Sequence, residues 1–541
     1  MTHPTYRRPF SPENIDFLRA NEVFVFGSNL QGRHGGGAAR LAYRKFGAMW
    51  GQGVGWFGQT YAIPTMHGGV EAIRPYVDQF IAFARAHGEL TFLVTRIGCG
   101  IAGFRDEEMA PLFAAALALP NVLLPEPFVR CLEQAEADME TSKAACRPHG
   151  MAAGKGGTFE ERFTGCLLGG AAGDALGYAV EFDRWPAIEA QYGPEGIVHF
   201  APDAQGRAEI SDDTQMTLFT ANGLLAAEAH GVEEGDTERW AGFVEAAYLE
   251  WLQTQTGQRD PDEAEHLCWI RDIPALNQRR GPGLTCLSAL TRTSRNMPVR
   301  NDSCGCGGVM RMAPVGLFFA RRARMAGQQP DWAALLHVAA ECARCTHQHP
   351  QGYLPAALLA YVVARLALAE QKAVEKGLEA FVEAGLQEMA AAFPGQQADV
   401  HELRRLLHYA EELAQNGGPD RTNIGRLGEG WVGHEALAIA LYCTCRHRDD
   451  FGLAIRAAVN HSGDSDSTGA ITGNLMGAMW GLQAIPADYL QRLELRGVIE
   501  EMARDLCAGP ADTPDRTTQE LDRWIRKYRY GRAEQAHKAD Y

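Results

Sequence analysis

Short apolar runs alternate with amphipathic stretches over the first quarter of the chain. The runs at 22–30, 60–66, 90–94 and 121–127 predict buried strands, the third of which leads into a glycine-rich loop. Helical spacing follows Gly35–Gly37 and recurs over 73–88 and 105–118. Strands that alternate with helices indicate an α/β domain with a largely parallel sheet, which we assign to residues 1–128.

The pattern changes after a polar stretch with few aromatic residues. Residues 129–158 include Gly-Lys-Gly-Gly and are predicted to be a linker. From 159 onward, apolar positions recur with helical spacing and convincing strands are few, so residues 159–541 are predicted to form an all-α domain. The predicted helices are 160–181, 213–230, 236–255, 331–345, 351–394, 400–415, 433–446, 450–460 and 467–483.

Two of these predicted helices carry glycine at every fourth position. Each interior glycine costs a helix about 0.8–1.0 kcal/mol relative to alanine, so the repeat needs another reason. A row at this spacing forms one smooth ridge that another backbone can approach closely. We therefore predict two central helices packed tightly with their neighbours. The ridge positions are Gly165, Gly169, Gly173 and Gly177 in one helix and Gly469, Gly473, Gly477 and Gly481 in the other.

The charge of the chain is uneven. Of 541 residues with a net charge of −16, residues 1–125 carry 11 Lys+Arg and 9 Asp+Glu, so the remainder carries −18. Such an acidic chain is a poor non-specific binder of nucleic acid or anionic membrane, and most of its charge is expected to be solvated surface. There is no charge-free apolar run of ~18 residues and no apolar segment at the start, which disfavours a membrane span and secretion. Thirteen cysteines suit reduced thiols in the cytoplasm.

Two acidic clusters stand where helices are predicted to start. Ser211 is a natural N-cap before Asp212 and Asp213, and helix capping alone would explain one or two such acidic residues. The second cluster holds Asp464 and Asp466, and it imitates the start of a calcium-binding EF-hand loop. That interpretation fails at its twelfth position, which is leucine instead of glutamate.

If the clusters meet, their oxygen donors indicate hard cations such as Mg²⁺, Mn²⁺ or Ca²⁺ and not zinc. Four carboxylates could hold two ions about 3.5–4 Å apart. About 250 residues separate the clusters, so spacing alone does not show that they meet.

Six motifs in order resemble those of the ADP-ribosylglycohydrolases across about residues 160–500. They are TGCLLGGAAGDALGYAVEF, SDDTQMT, NDSCGCGGVMRMAPVGL, THQHPQGYLPAALLA, LGEGWVGHEALAIALYC and NHSGDSDSTGAITGNLMGAMWG. The resemblance implies an all-α fold and a binuclear centre, with two Mg²⁺ or Mn²⁺ as the cofactors. The implied reaction is cleavage between C1″ of a terminal ADP-ribose and an acceptor such as arginine, serine or a small molecule.

The resemblance also assigns residues to roles. Ser211, Asp212, Asp213, Asp464, Asp466 and Ser467 match the metal ligands, with Ser467 where threonine is common. Asp213, Asp466 and Glu181 are the candidate catalytic carboxylates. The substrate-binding positions are Asn301, Asp302, Ser303, Gly305, Gly307, Gly308, Met310, His347, His349, Gly428 and Trp431.

Residues 20–125 resemble a macrodomain, an α/β module that binds ADP-ribose. The two matching features are an asparagine followed by three glycines and a later glycine-rich diphosphate loop. By this pattern, the first loop would lie near the distal ribose and the second would hold the diphosphate. The implied binding residues are Asn29, Gly35, Gly36, Gly37, Gly98, Gly100, Ile101, Gly103 and Phe104.

The sequence therefore predicts a metal-dependent hydrolase that releases ADP-ribose from protein, nucleic acid or small-molecule acceptors. Its N-terminal module is expected to bind ADP-ribose or to act as a second processing module. The alternative is a binding protein, which neutralises an ADP-ribosyltransferase as an immunity factor or reads ADP-ribose without cleaving it. A third hypothesis is an enzyme that hydrolyses small ADP-ribose metabolites.

Overall fold

The computed structural model describes residues 9–12, 14–132, 157–203, 206–233, 235–257, 266–370, 374, 377–416, 418–510 and 518–531. Its chain divides into two compact units, Met1–Arg147 and Pro148–Tyr541, which we describe separately. Most of the predicted linker, residues 133–156, lies outside the described residues, whereas residues 129–132 complete a helix that begins at 126.

The first unit is a five-stranded sheet with helices, as the α/β pattern predicted. The strand order is β2-β3-β1-β4-β5, and all pairings are parallel except β2 with β3. Phe24 in the central strand pairs with Thr60 on one side and Leu93 on the other. The elements are β1 (Glu22–Ser28), α1 (Gly37–Lys45), β2 (Gly55–Phe57), β3 (Thr60–Pro64), α2 (Val70–Ala86), β4 (Thr91–Val94), α3 (Asp106–Met109) and β5 (Val122–Leu123).

Two sequence predictions for this unit need correction. Strand β2 was missed because it has only three residues, two of them exposed, so it shows no buried pattern. The helix predicted over 105–118 is one short α-helical turn, followed by the 3₁₀ helix Ala110–Ala118. Pro111 stands near the start of that segment and lacks the N–H that an α-helix would use.

The sheet order places two loops beside each other. The chain leaves β1, forms β3 on one side of it and then crosses to form β4 on the other side. In open α/β sheets, such a reversal opens a crevice at the carboxyl ends of the strands, and ligands bind there. The loops that follow β1 and β4 are the two predicted ADP-ribose-binding loops.

The second unit is all-α in its described residues, as predicted. Its 3₁₀ turns are Trp269–Asp272, Pro274–Asn277, Cys306–Gly308, Pro394–Gln396 and Leu482–Ala484. Its helices are α4 (Phe159–Tyr178), α5 (Trp185–Tyr192), α6 (Asp212–Ala229), α7 (Thr237–Thr256), α8 (Leu284–Ser294), α9 (Ala313–Ala326), α10 (Trp332–Arg344), α11 (Pro350–Leu368), α12 (Glu379–Ala392), α13 (Gln397–Asn416), α14 (Asp420–Leu427), α15 (Gly433–Arg446), α16 (Phe451–Val459), α17 (Ser465–Trp480), α18 (Ala487–Gln491), α19 (Arg496–Ala508) and α20 (Thr518–Tyr530).

The single helix predicted over 351–394 was wrong, because α11 ends at Leu368 and α12 begins at Glu379. The buried Arg162 guanidinium donates at 2.6 Å to the carbonyl oxygens of both Leu366 and Ala369. These hydrogen bonds satisfy carbonyl groups that the end of a helix leaves unpaired, so the chain can turn there. Several helices escaped sequence analysis, including α9, whose first eight residues have no polar side chain and therefore show no helical period.

The two glycine ridges pack against each other, which confirms the predicted close packing. A methyl group on Gly165 would lie 2.5 Å from the Gly481 carbonyl carbon, and one on Gly469 would lie 2.5 Å from the Gly173 oxygen. The pairs run in opposite directions along the two helices, so α4 and α17 are antiparallel. Since no side chain separates them, their backbones touch along the whole ridge.

One described helix, Pro350–Leu368, is long and apolar enough to cross a membrane, but 89% of that window is buried inside the protein. Burial of this kind is typical of a core helix. The cysteines of the described residues are free thiols.

Candidate active site

Both acidic clusters form the first turn of a helix. Ser211 caps α6, as predicted, and its hydroxyl accepts a hydrogen bond from the Asp213 N–H at 3.2 Å. Asp464 caps α17, and its carboxylate accepts from the Ser467 N–H at 3.3 Å. The Asp466 carboxylate accepts from the same N–H at 2.9 Å. The helix starts therefore hold the acidic side chains at defined positions.

The crossing of α4 with α17 brings the clusters together. Gly177, in the last turn of α4, packs against Ser465 and Asp466 in the first turn of α17. Asp174, one turn earlier in α4, binds the first turn of α6: its carboxylate accepts from the backbone N–H of Ser211 at 3.0 Å and of Thr214 at 3.1 Å. The Thr214 hydroxyl donates to the same carboxylate. Helix α4 is thus the bridge between the two predicted metal-binding motifs.

Asp174 was not among the residues selected from the sequence. It is the aspartate of the Gly-Asp-Ala-Leu-Gly motif, and it is fully buried inside a helix. A charged residue in a run of glycine, alanine and leucine was the available signal, because such a group needs partners when it is buried. We regard Asp174 as a positioning residue that fixes the start of α6.

Six carboxyl groups are buried together at this point. Burial raises the pKa of each, and the nearby Asp466 charge raises the pKa of the other five further. The pKa of Asp174 is raised to about 7 and that of Glu181 to about 10. Like charges that raise one another's pKa mark a site where positive charge would be stabilising. The six are Asp174, Glu181, Asp212, Asp213, Asp464 and Asp466.

Three carboxylate oxygens in this cluster are buried and have no hydrogen-bond partner: Glu181 Oε2, Asp213 Oδ2 and Asp464 Oδ2. Unpaired buried oxygens are costly, and with the two serine hydroxyls they form a donor set that suits hard cations. Within the part of the chain that the structure describes, however, no three His, Cys, Asp or Glu side chains are close enough to hold a metal ion as they stand. The donor chemistry therefore fits a hard cation, although the carboxylates as they stand lie too far apart to hold one.

Two of the predicted substrate-binding segments pair with each other. The Cys306 N–H donates to the Trp431 carbonyl at 3.1 Å, and the Gly433 N–H donates to the Cys304 carbonyl at 2.7 Å. Gly430 sits against the acidic cluster, since a methyl group there would lie 3.4 Å from the Asp464 Cβ. Gly428 and Gly430 both have positive φ, at 132° and 84°. The glycine-rich turn at 305–308 and the turn at 428–431 are therefore brought to the cluster together.

The remaining predicted contacts separate into exposed and buried groups. Asn301 and Asp302 are exposed, and the Asn301 amide accepts from the Ser303 and Gln348 N–H groups. His349 caps α11, with Nδ1 accepting from the Gln351 N–H at 3.1 Å. The predicted positions Gly308 and Met310 are buried at the end of the turn.

His347 lies beneath the glycine turn and not at an open pocket. It is buried, its Nδ1 is 2.9 Å from the Thr346 hydroxyl, and its ring edge faces Gly305 and Gly307. Burial and the Arg311 charge lower its pKa to about 3, so the ring is neutral. Its observed role is to support the turn, and direct contact with the adenosine side of a ligand remains only a prediction.

Sequence analysis missed a segment that touches the cluster directly. The Asp212 N–H donates to the Arg280 carbonyl at 2.9 Å, and the Asp212 carboxylate accepts from the Gly283 N–H at 3.1 Å. A methyl group on Gly281, where φ is 64°, would lie 3.3 Å from Glu181 Oε2. The glycines and proline of this turn indicated a loop, but no repeated pattern related it to a site 70 residues earlier.

In the first unit, the two predicted loops face each other. Ile101, which is 72% exposed, reaches from the second loop towards the first, and a methyl group on Gly36 would lie 3.0 Å from its Cδ1. Gly98 and Gly103 have positive φ, and the Phe104 N–H donates to the Gly98 carbonyl at 3.1 Å, which closes the second loop. Asn29 closes the first loop by bonding both main-chain groups of Arg33.

The other predicted residues of this unit are Gly35, Gly37 and Gly100. Gly36 is the N-cap of α1, so Gly35 and Gly37 lie at its start, and Gly100 is in the second loop. The structure therefore brings the two groups of predicted residues together at the switch point of the sheet.

Comparisons with known proteins show the family of the second unit. The family model described as ADP-ribosylglycohydrolase matches residues 156–515. The ADP-ribosyl-[dinitrogen reductase] glycohydrolase of Rhodospirillum rubrum is 26% identical over 367 residues, covering 65% of this chain and 97% of its own. ADP-ribosylhydrolase ARH3 of Bos taurus is 26% identical over 369 residues, covering 62% and 88%. A solved structure titled "ADP-ribosylglycohydrolase-related protein complex" aligns at 26% identity and a TM-score of 0.43, covering 65% and 98%. The matched region includes both acidic clusters and the paired turns at 305–308 and 428–431, and the chain belongs to the ADP-ribosylglycohydrolase family of glycosyl hydrolases.

Proposed function

We propose that this protein is a metal-dependent hydrolase that releases ADP-ribose from an ADP-ribosylated acceptor. The observation that carries the proposal is the convergence of two separate aspartate clusters on one buried site with unpaired carboxylate oxygens. Six buried carboxyl groups are expensive for a structural core, and cations would remove that cost. The free cysteines support a cytoplasmic location.

The residues that would hold two Mg²⁺ or Mn²⁺ ions are Ser211, Asp212, Asp213, Asp464, Asp466 and Ser467. Their carboxylates would have to turn inward from the positions seen here. Bound divalent ions orient hydroxyl groups and lower the pKa of bound water. Magnesium prefers this type of oxygen donor, and none of these six residues has a nitrogen ligand that would favour zinc.

Residues of the chain itself would bind the diphosphate and transfer the proton. In the 305–308 turn, the Gly305 and Cys306 N–H groups already donate to Ser303 and Trp431, so we propose the Gly307 N–H as a donor to a diphosphate oxygen, because glycine has no side chain to cover it. Asp213, Asp466 and Glu181 are the candidates that would accept a proton from the attacking water or stabilise positive charge on the ribose at C1″. The net reaction adds water across the C1″–acceptor bond.

Removal of divalent cations is expected to stop the reaction. Purified protein with Mg²⁺ should release ADP-ribose from at least one substrate in a panel of arginine-, serine-, nucleic-acid- and metabolite-linked forms. The same protein in EDTA should lose more than about 90% of that rate, because bound metal ions supply several kcal/mol of charge stabilisation in the transition state. Release of free ADP-ribose by chromatography is the measurement. Equal rates in Mg²⁺ and EDTA would refute the metal dependence, and no release from any member of the panel would refute the hydrolase.

We further propose that the N-terminal unit is an ADP-ribose-binding module of the macrodomain type. Its support is the pair of glycine-rich loops at the sheet's switch point, with the N-terminus of α1 in the first loop. The near-balanced charge of residues 1–125 suits recognition of a diphosphate through backbone amides.

Bulk placed between these loops should weaken that binding. In the full chain, Gly36→Val is expected to weaken the ADP-ribose affinity of this unit by at least about tenfold, because Gly36 already faces Ile101 closely. Calorimetry should show two binding events in the wild type and, in the variant, one of the two weakened at least about tenfold. Gly88→Val, at a glycine with open space around it, is the matched control. A single event in the wild type, or equal effects of both variants, would contradict the assignment.

A further inference from the structure

One buried arginine beneath the glycine turn has no acidic side chain among its hydrogen-bond partners. Arg311 is fully buried, and a guanidinium does not lose its proton in a protein. Its Nη1 donates to the sulfur atoms of Met216 at 3.1 Å and Cys286 at 3.5 Å, and its Nη2 donates to the Thr346 hydroxyl at 2.6 Å. These partners carry no negative charge, since burial raises the pKa of the Cys286 thiol. A buried cation without a countercharge is costly, so packing alone does not explain its position.

The Thr346 hydroxyl connects Arg311 with His347. Besides accepting from Arg311, its oxygen lies 2.9 Å from His347 Nδ1 and 3.2 Å from the Ala343 carbonyl oxygen. The hydroxyl has one proton, so it donates to one of these two atoms. The Ala343 carbonyl already accepts from the backbone N–H groups of Thr346 at 3.1 Å and His347 at 2.9 Å, which occupies both of its lone pairs. The hydroxyl proton is therefore directed to His347 Nδ1.

The charge of Arg311 favours the same arrangement. A cation that donates to the hydroxyl oxygen polarises it, which makes the hydroxyl a stronger donor to its own acceptor. Burial and the Arg311 charge lower the pKa of His347 to about 3, so the ring holds a single proton. Because Nδ1 accepts from Thr346, that proton is on Nε2.

The Nε2 atom of His347 faces the glycine turn. A methyl group on Gly305 would lie 3.2 Å from Nε2, and one on Gly307 would lie 3.3 Å from it. Since both positions are glycine, neither has a side chain that covers this edge of the ring. A phosphate oxygen bound at the Gly307 N–H would meet the Nε2–H from the same side, and hydrogen bonds to a charged acceptor are the strong ones.

We propose that Arg311 is a positioning residue of the diphosphate site, which acts through Thr346 to keep the proton of His347 on Nε2. There the ring N–H is a second donor beside the Gly307 N–H. The inference rests on the proposed hydrolase function, in which this turn binds the diphosphate, and it adds a residue that does not itself touch the ligand. Without the relay, the proton can move to Nδ1, and the ligand would then meet a lone pair that repels its oxygen.

The tautomer is tested first, by NMR of the full-length protein labelled with nitrogen-15 in its 17 histidines. His347→Leu assigns the signals of this ring by their loss. In the wild type, Nε2 should give the signal of a protonated nitrogen and Nδ1 that of an unprotonated one. A wild-type ring protonated at Nδ1, or at both nitrogens, would overturn the proposal.

Two variants break the relay and one preserves it. In Arg311→Met and in Thr346→Ala, both ring signals should move towards the average of the two tautomers, because Nδ1 loses its polarised donor. Thr346→Ser keeps the hydroxyl and should keep the wild-type signals. Thr346→Ala removes fewer atoms and leaves the buried charge in place, so it provides the test if Arg311→Met does not fold. Wild-type signals in Thr346→Ala would overturn the proposal.

Substrate binding is tested with the member of the panel that the wild type cleaves fastest. Thr346→Ala should raise KM at least about tenfold and leave kcat within about threefold, because a hydrogen bond to a charged group is lost. Thr346→Ser should keep KM within about threefold of the wild type. In a His347→Leu background, Arg311→Met should raise KM less than about threefold, because the two residues act in one chain of hydrogen bonds. A further tenfold rise there would overturn the proposal, since Arg311 would then act without His347.

Arg162→Met is the matched control, because Arg162 is another buried guanidinium, which donates to the Leu366 and Ala369 carbonyls. It should destabilise the protein without moving the His347 signals or raising KM more than about twofold. Equal rises in KM for this variant and Arg311→Met would overturn the proposal. A wild type with the expected tautomer that releases no ADP-ribose would refute the hydrolase alone, whereas release by a wild type protonated at Nδ1 would overturn the relay alone.

Discussion

Replacing Asp213 by asparagine is expected to lower kcat/KM for ADP-ribose release by about 10²- to 10⁴-fold while leaving the protein at least as stable as the wild type. The loss follows because Asp213 is a proposed metal ligand and a candidate base, and a positioned base contributes about that factor. Asparagine keeps the shape of the side chain but cannot take the proton. Initial rates of ADP-ribose release in Mg²⁺ provide the measurement.

The predicted effect on stability follows from the burial of the Asp213 carboxyl group. The pKa of Asp213 is raised well above its ordinary value by burial and by Asp466. The folded metal-free protein therefore holds a proton that the unfolded chain releases once the pH exceeds about 4, so this group's contribution makes stability fall as pH rises. Asparagine removes that contribution, and the variant in EDTA should lose less stability than the wild type between pH 5 and 9.

The control is Asp449→Asn, which changes the same charge at an exposed position outside the site. It should alter neither kcat/KM nor the pH dependence of unfolding measurably. A value of kcat/KM for Asp213→Asn within tenfold of the wild type would remove Asp213 from the catalytic set. A steeper loss of stability with pH in the variant would show that its carboxyl group is not buried as described.

Gly473→Ala should destabilise the second unit by about 1–3 kcal/mol, although alanine favours helices more than glycine does by about 0.8–1.0 kcal/mol. A methyl group at Gly473 would lie within 3 Å of the Gly169 carbonyl and 2.9 Å from the Gly170 nitrogen, both of them backbone atoms. Backbone atoms of a helix cannot rotate away, so α4 and α17 must separate. Because these helices carry Asp174 and Asp466, ADP-ribose release should fall as well.

Gly242→Ala is the matched control, since Gly242 is in the middle of α7 and has open space where the methyl group would go. This substitution should stabilise the protein by about 0.8–1.0 kcal/mol. Urea unfolding followed by tryptophan fluorescence distinguishes the two variants by the sign of the change. Stabilisation by Gly473→Ala would mean that the two helices do not touch as described.

Sequence analysis identified the parts of this site that depend on local structure. The N-cap Ser211, the aspartates in two first helical turns and the four-residue spacing of glycine are features of single segments. Each has a physical cause within about one or two helical turns: capping, the helix dipole or the absence of a side chain. The strands of the first unit followed in the same way from apolar runs, except for the three-residue strand β2.

Other features depended on contacts between distant segments. The partners of Asp174, the contact of the 280–283 turn with Asp212 and the burial of His347 could not be read from the local sequence. Their roles come from neighbours that lie tens of residues or more away in the chain. A periodic pattern describes one face of one element, and it does not state which other element covers that face.

By itself, the sequence determined the two-part organisation, the helix starts that carry the aspartates and the smooth glycine faces of α4 and α17. Only the tertiary structure decided that those two faces meet each other. Their antiparallel crossing brings together acidic clusters that lie about 250 residues apart in the chain. The physical reason is that helix capping and spacing are settled by neighbouring residues, whereas the meeting of the carboxylates requires two backbones in contact, and that contact exists only after the chain has folded.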